Sequence, residues 1–366
     1  MINSAQFTDP DLAQRLVLNL KEKARSLSQV IKIMEVCGTH TMEIGRLGLR
    51  SILPAQIKLI SGPGCPVCVT PGSYINLAVE CAQAHKAIIL TYGDMLRVPG
   101  DNNVSLEKAR AQGVAVEVVT SSLQALEVAQ QTNQEVIFLA VGFETTIPAT
   151  AVAILKAREK KLKNLSFLVS HRLIPPALKV LVEDQELGIN GFLLPGHVST
   201  IIGESPYRFL EAYVPSVITG FEPLDILWGI NKVLELIIEQ KTELFNAYPR
   251  VVKPEGNPQA QKVIYQVSTV MDEEWRGIGV LPATGLKIKK EYQEFDAMVR
   301  FGLKSRPSQM PGQCLCGEVL KGKYSPFDCK LFGRACTPEH PVGPCMVSVE
   351  GSCAAYYKYE RDKTTK

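Results

Sequence analysis

Between about residues 31 and 245, short β-rich runs alternate with stretches whose apolar positions recur every three or four residues. The runs are IKIMEV (31–36), IKLI (57–60), AIILTY (87–92), AVEVVT (115–120), EVIFLAV (135–141), LSFLVS (165–170), GFLL (191–194) and SVIT (216–219). Between several of them lie SYINLAVECAQA (73–84), SLQALEVAQQ (122–131) and ATAVAILKAREKKL (149–162), whose spacing predicts helices. Apolar strands alternating with helices are the pattern of parallel sheets covered on both faces. The expected fold is therefore α/β, with two lobes of largely parallel sheet flanked by helices. Residues 222–246 read as one long amphipathic helix, 265–270 as a strand and 291–299 as a helix. After Arg306 the chain turns rich in Gly, Pro and Cys, with few apolar runs, and such a segment usually needs a staple. The expected division is a first lobe over about 1–140, a second over about 141–255 and a cysteine-rich domain over about 256–366, with the lobes free to exchange segments.

Composition changes this picture little, except for cysteine. The 366 residues are 46% hydrophobic and 21% charged, which supports a sizeable core. A net charge of +3 is too small to argue for nucleic acid or an anionic membrane surface. No run approaches the roughly 18 apolar residues of a membrane span. The N-terminus carries Asp9 and Asp11 and lacks the basic-then-apolar layout of an export signal, so the expected location is the cytoplasm. Disulfides are rare there, yet the chain has 10 cysteines. Four (Cys37, Cys65, Cys68, Cys81) lie in the first quarter and six in the last 53 residues. In a reducing compartment, such grouping points to metal or redox chemistry.

Several motifs fall where strands end, which is where open α/β folds place their sites. VCGTHTME (36–43) puts Cys37 directly after a strand, with Thr39 or Thr41 available to cap a helix whose N-terminus would favour a thiolate. His40 is a ligand, a base or a donor to that thiolate. SGPGCPVCVTPG (61–72) sets Cys65 and Cys68 as C-x-x-C at a helix start, suited to dithiol–disulfide exchange. The same pair is half of a four-cysteine zinc site, but no second, comparable pair lies nearby. Asp94, Glu144 and His197 follow three further strands, and the repetition of polar groups at strand ends points to a shared cleft. His171 is a weaker member. His85 and His340 read as surface or turn residues, and Cys81, at an apolar helix spacing, as core.

The tail offers the spacing Cys314-x14-Cys329-x6-Cys336-x16-Cys353, with Cys316 and Cys345 as extras. Four thiolates suit a tetrahedral zinc or a [4Fe–4S] cluster. The scarcity of histidine and the long unequal loops favour iron–sulfur.

In this order, Cys37-Gly38-Thr39-His40, Gly62-Pro63-Gly64-Cys65-Pro66-Val67-Cys68, Gly142-Phe143-Glu144-Thr145-Thr146, Pro195-Gly196-His197-Val198-Ser199 and the tail spacing resemble the HypD family of hydrogenase maturation factors. The resemblance covers essentially the whole chain. It implies a part in building the Fe(CN)2CO group of [NiFe]-hydrogenases, in complex with the small chaperone HypC and with cyanide received from HypE. It implies that Cys37 holds the iron together with a HypC cysteine. It further implies that Cys314, Cys329, Cys336 and Cys353 bind a [4Fe–4S] cluster, and that Cys65 and Cys68 pass electrons between cluster and iron. The family fold has two α/β lobes and an iron–sulfur domain.

Thiolates are soft donors suited to an iron that also takes cyanide and carbon monoxide. His40, Asp94, Glu144 and His197 are the expected cleft residues, as proton donors or hydrogen-bond partners to cyanide nitrogens. The reading is a redox-active assembly scaffold rather than an independent enzyme. A stand-alone oxidoreductase of thioredoxin-reductase type would explain the dithiol and the tail but not Cys37 or the strand-end motifs. A zinc-stapled binding protein is the third possibility.

Overall fold

The computed structural model describes residues 9–309 and 312–361. Eleven strands are present among them: β1 Ile31–Glu35, β2 Ile57–Ser61, β3 Ile88–Thr91, β4 Val116–Val118, β5 Val136–Gly142, β6 Leu165–His171, β7 Gly191–Pro195, β8 Ser216–Thr219, β9 Leu244–Asn246, β10 Ser268–Trp275 and β11 Gly279–Ile288. The first eight are those that the apolar runs predict. They form two parallel sheets, one ordered β2-β1-β7-β8-β9 and the other β4-β3-β5-β6, with helices between successive strands. β5 is buried along its whole length, as a strand covered on both faces must be.

The sheets do not follow the expected division at 140/141, which falls inside β5. The chain leaves the first sheet after β2, builds all of the second, then returns to add β7, β8 and β9 beside β1. The two lobes thus interleave in sequence. The short connections at the C-terminal ends of β1, β2, β5 and β7 bring the motif loops together.

Three local expectations are corrected. The helix expected over 222–246 spans Pro223–Ile238; Gln240 then takes a positive φ of 55°, and the chain reverses into edge strand β9. The strand expected over 265–270 starts at Ser268, because Asn257 caps a preceding helix, Pro258–Val267. Segment 291–299 is two short helical pieces, Lys290–Phe295 and Ala297–Arg300, separated by the extended Asp296 that caps the second. An N-terminal helix, Pro10–Arg25, capped by Asp9, covers the helix Pro223–Ile238; the Asn231 side-chain amide donates to the Leu16 carbonyl at 3.1 Å.

β10 and β11 form an antiparallel hairpin against the second sheet. Trp275, at the turn end of the hairpin, is fully buried, stacks on Phe143 at 5.9 Å and donates to Thr284 Oγ1 at 2.8 Å. The cysteine-rich segment that follows is mostly turns, with two short helices, Cys316–Leu320 and Ser352–Tyr359. The second of these packs on the helix Gly38–Arg46, where Gly45 gives room for Tyr359. Among the described residues, no helix is long and apolar enough to cross a membrane.

Candidate functional site

Cys37 ends β1 and is itself the N-cap of the helix Gly38–Arg46. It opens into a cleft of about 410 Å³ between the two sheets. Beside it the cleft is lined by Thr39, Thr145, Thr146, His197 and Glu350, which come from the ends of β1, β5 and β7 and from the tail. The β5 corner depends on Gly142: its φ is 149°, and a Cβ there would lie 1.8 Å from Thr146 Oγ1.

Neither Thr39 nor Thr41 caps this helix. Thr39 donates to Glu350 Oε1 at 2.7 Å, and Thr41 donates to both oxygens of Glu35, at 2.9 and 2.8 Å. The helix N-terminus does pull Cys37 toward the thiolate, through the Thr39 and His40 amides, but that pull is outweighed. Burial and the neighbouring Glu350 carboxylate push the thiol up to about 12, against the weaker pull of the Thr39 and His40 amides.

The expected cleft residues separate. His197 lines the cleft, and its ring stacks on Phe221 at 3.9 Å. His40 lies on the other side of Phe221, at 4.6 Å, fully buried. Its Nε2 is 2.9 Å from the Gly220 carbonyl, so Nε2 carries the proton, and burial lowers its pKa to about 4. It braces the β8 loop as a neutral ring instead of facing the cleft. Glu144 is buried too: Oε1 accepts from the Ile174 amide at 2.9 Å, anchoring the helix Ile174–Glu183, and burial raises its pKa to about 7. Asp94 is exposed on a short helical turn after β3, outside the cleft lining. His85 and His340 are exposed; His171 is buried at the end of β6, and Cys81 packs in the core.

Gly64 joins the two cysteine motifs. Its carbonyl accepts from the Gly38 amide at 3.0 Å, and a Cβ on it would stand 2.4 Å from the Cys37 nitrogen. Cys65 follows as N-cap of the one-turn helix Pro66–Val69, and its sulfur accepts from the Cys68 amide at 3.4 Å. Both thiols are buried, and desolvation drives Cys68 well above the ordinary thiol range. The Cys68 thiol reaches Cys345, and Cys345 in turn reaches Cys316 and Cys353. Cys345, whose role the spacing left open, thus stands between the dithiol and the tail cysteines.

Cys314, Cys316, Cys329, Cys336 and Cys353 line one small apolar cavity with Leu331, Phe332 and Met346. The Val342 amide donates to the Cys336 sulfur at 3.3 Å, and Gly343 leaves room for the sulfurs of Cys314 and Cys316, each within 2.6 Å of where its Cβ would be. Among the described residues, no three such side chains converge as a single metal ion would require. The donor set, soft sulfurs around a shared apolar space, fits an iron–sulfur cluster. A second sign is Arg276, whose buried guanidinium lies in the field of Cys316 and Cys314 and keeps two nitrogens unpaired. Glu350 and Arg276 escaped sequence reasoning. Glu350 lies in the tail, Arg276 follows β10 beyond the run that the sequence marks as a strand, and only the packing of the tail and hairpin brings them to the cysteines.

These features define a class: an interleaved α/β protein with a thiol-bearing interlobe cleft, backed by a dithiol and a tail of clustered cysteines. Residues 11–360 match the HypD family model, described as a hydrogenase formation hypA family. The chain is 42% identical over 366 residues to hydrogenase maturation factor HypD2 of Bradyrhizobium diazoefficiens, covering 97% of this chain and 96% of that protein. It is 43% identical over 368 residues to HypD of Cupriavidus necator (98% and 97% covered), and 40% identical over 369 residues to HypD of Escherichia coli (98% of each). The chain belongs to the HypD family of hydrogenase maturation factors.

Proposed function

We propose that this protein is the cytoplasmic scaffold on which the Fe(CN)2CO group of [NiFe]-hydrogenases is assembled. The observation that carries the reading is the placement of Cys37. It is a single thiol at a strand end, opening into a cleft with Thr145, Thr146, His197 and Glu350, with the Cys65–Cys68 turn packed directly behind it. One thiol leaves most coordination positions of the cargo iron free, so a second thiolate from a HypC-type chaperone and the incoming diatomic ligands can share it. His197 and the two threonines supply hydrogen bonds to cyanide nitrogens. A HypE-type donor delivers cyanide as a thiocyanate-like group.

Splitting such a group into thiolate and cyanide takes two electrons. Oxidation of Cys65 and Cys68 to a disulfide releases two electrons and two protons. Their burial excludes stray thiols, and contact from Cys68 to Cys345 supplies the route by which the pair is reduced again. Cys314, Cys329, Cys336 and Cys353 would hold a [4Fe–4S] cluster, which when bound would supply single electrons from an external reductant.

The test is an infrared spectrum of the protein purified with its HypC-type partner. Cyanide and carbonyl stretches are expected, and they disappear in Cys37→Ala. Stretches retained by Cys37→Ala would remove the iron from this thiol. Metal analysis that finds zinc, and no acid-labile sulfide, would refute the cluster.

A further inference from the structure

Arg276 follows the fully buried Trp275 at the end of β10 and is itself 1% exposed. Its backbone amide donates to the carbonyl of Val69, the last residue of the one-turn helix that carries Cys68, at 2.8 Å. Its Nη1 donates to the Pro99 carbonyl at 2.6 Å. Nε and Nη2 are buried and have no hydrogen-bond partner. The next residue, Gly277, packs its carbonyl against Gly317, so tightly that a Cβ on Gly317 would lie 2.1 Å from that oxygen. Arg276 is thus wedged between the turn that carries the dithiol and the start of the cysteine-lined cavity.

A guanidinium stays charged in proteins, and burying one with a single neutral acceptor is expensive unless an anion faces it. The groups within its electrostatic reach are Cys316, Cys314, Asp101 and Cys345. Asp101 Oδ1 is already engaged by Ser308 Oγ at 3.0 Å and by the Gln309 amide at 3.1 Å. Those donors are neutral, so Asp101 shares the field at the guanidinium with the sulfurs, of which Cys316 and Cys314 contribute most.

We propose that Arg276 is a positioning residue for the tail cluster: a fixed counter-charge, anchored on Pro99, that stabilises the negative charge gathered on the sulfurs of Cys314 and Cys316 and on the metal centre they border. This rests on the proposed [4Fe–4S] cluster. Reduction adds one electron to a centre that is already anionic, so a fixed positive charge stabilises the reduced state more than the oxidised one. The guanidinium therefore raises the reduction potential. Its backbone bond to Val69 holds that charge in register with the dithiol turn.

The test is a potentiometric titration of the reconstituted full chain, followed by electron paramagnetic resonance, for wild type, Arg276→Lys and Arg276→Gln, with iron and sulfide measured for each. Arg276→Gln is expected to titrate at a more negative potential than wild type at equal iron and sulfide content, and Arg276→Lys close to wild type. Equal potentials in all three, or equal shifts in Lys and Gln, would overturn the inference, because packing and not charge would then matter. If Gln fails to retain the cluster, Lys that retains it at the wild-type potential supports the role of charge, and Lys that also loses it overturns that role. Wild type that takes up no iron or sulfide overturns the cluster reading itself. A loaded wild type with an unmoved Gln variant overturns only the role of Arg276.

Discussion

Gly64 packs against the backbone of Cys37 so closely that an added Cβ would stand 2.4 Å from its nitrogen and 2.5 Å from its Cα. Those are backbone atoms and cannot swing away. Gly64→Ala should therefore push the C-x-x-C turn off the β1 end, at about 1–3 kcal/mol of stability, the usual range for overpacking. If the proposed function holds, the same variant should lose most of the infrared-active cargo, since the turn moves away from Cys37. Unfolding by denaturant and the infrared spectrum together check this. A Gly64→Ala protein as stable and as loaded as wild type would show that the contact is looser than it looks.

Glu350 raises the pKa of the Cys37 thiol through its charge and accepts a hydrogen bond from Thr39. Removing that charge in Glu350→Gln should increase the thiolate fraction of Cys37 in the metal-free protein. One pKa unit is tenfold in that fraction, so alkylation of Cys37 at mildly alkaline pH should accelerate by about two- to tenfold. Peptide mass spectrometry after timed alkylation reads the rate, with Cys65 as the internal reference. An unchanged or slower rate would mean that Thr39, released from Glu350, no longer supports the thiolate.

Glu144 gives a pH signature. Its carboxyl is fully buried and its pKa is raised to about 7 from an ordinary 4.5. Between those values the folded protein holds a proton that the unfolded chain has released. Stability from this group is thus fully present below about 4.5 and is lost as pH climbs through about 7. The shift corresponds to roughly 3 kcal/mol. Glu144→Gln keeps the acceptor for the Ile174 amide and cannot ionise. Wild type should lose stability relative to Glu144→Gln between pH 5 and pH 8, measured as paired unfolding curves. A constant difference would assign Glu144 an ordinary pKa.

Much of this arrangement is legible in the chain. The eight strands show because each is a short apolar run ended by Gly, Pro or a polar cap, and the strand-end rule finds Cys37, the C-x-x-C turn and His197. What fails does so for physical reasons. His40 and Glu144 sit in motifs, but a histidine or carboxylate one residue off the rim can turn inward and satisfy a backbone group, and periodicity carries no sign of which way it turns. β9 hides at the end of an amphipathic pattern because a three-residue edge strand has no period to detect. Which strands the two sheets exchange is invisible because a parallel strand reads the same in either sheet. Glu350 meets Thr39 across 311 residues of sequence and Arg276 meets Pro99 across 177, and only the packed tail and hairpin reveal them.

Arg50 ties the Cys37 corner to the tail. Its Nη1 donates to Glu360 Oε1 at 2.7 Å, its Nη2 lies 3.4 Å from Glu35 Oε1, and its guanidinium sits 4.4 Å above the Tyr356 ring. Glu35 also accepts from Thr41 and Ser61, so a single buried carboxylate fastens β1, β2 and the Cys37 helix, and Arg50 couples that group to the segment that carries Cys353. Replacing this buried charge leaves Glu35 with only the neutral donors Thr41 and Ser61 and takes one partner from Glu360. Arg50→Met should therefore cost about 3–5 kcal/mol, far more than an exposed ion pair would. Glu35, already raised to about 7 by burial, should rise further and stay protonated at neutral pH. Hydrogen exchange should quicken along the helix Ser352–Tyr359, while the helix Ile147–Glu159 of the second sheet keeps its protection. A loss below about 1 kcal/mol, with unchanged exchange at the tail helix, would mean that apolar packing alone holds the tail against the first sheet.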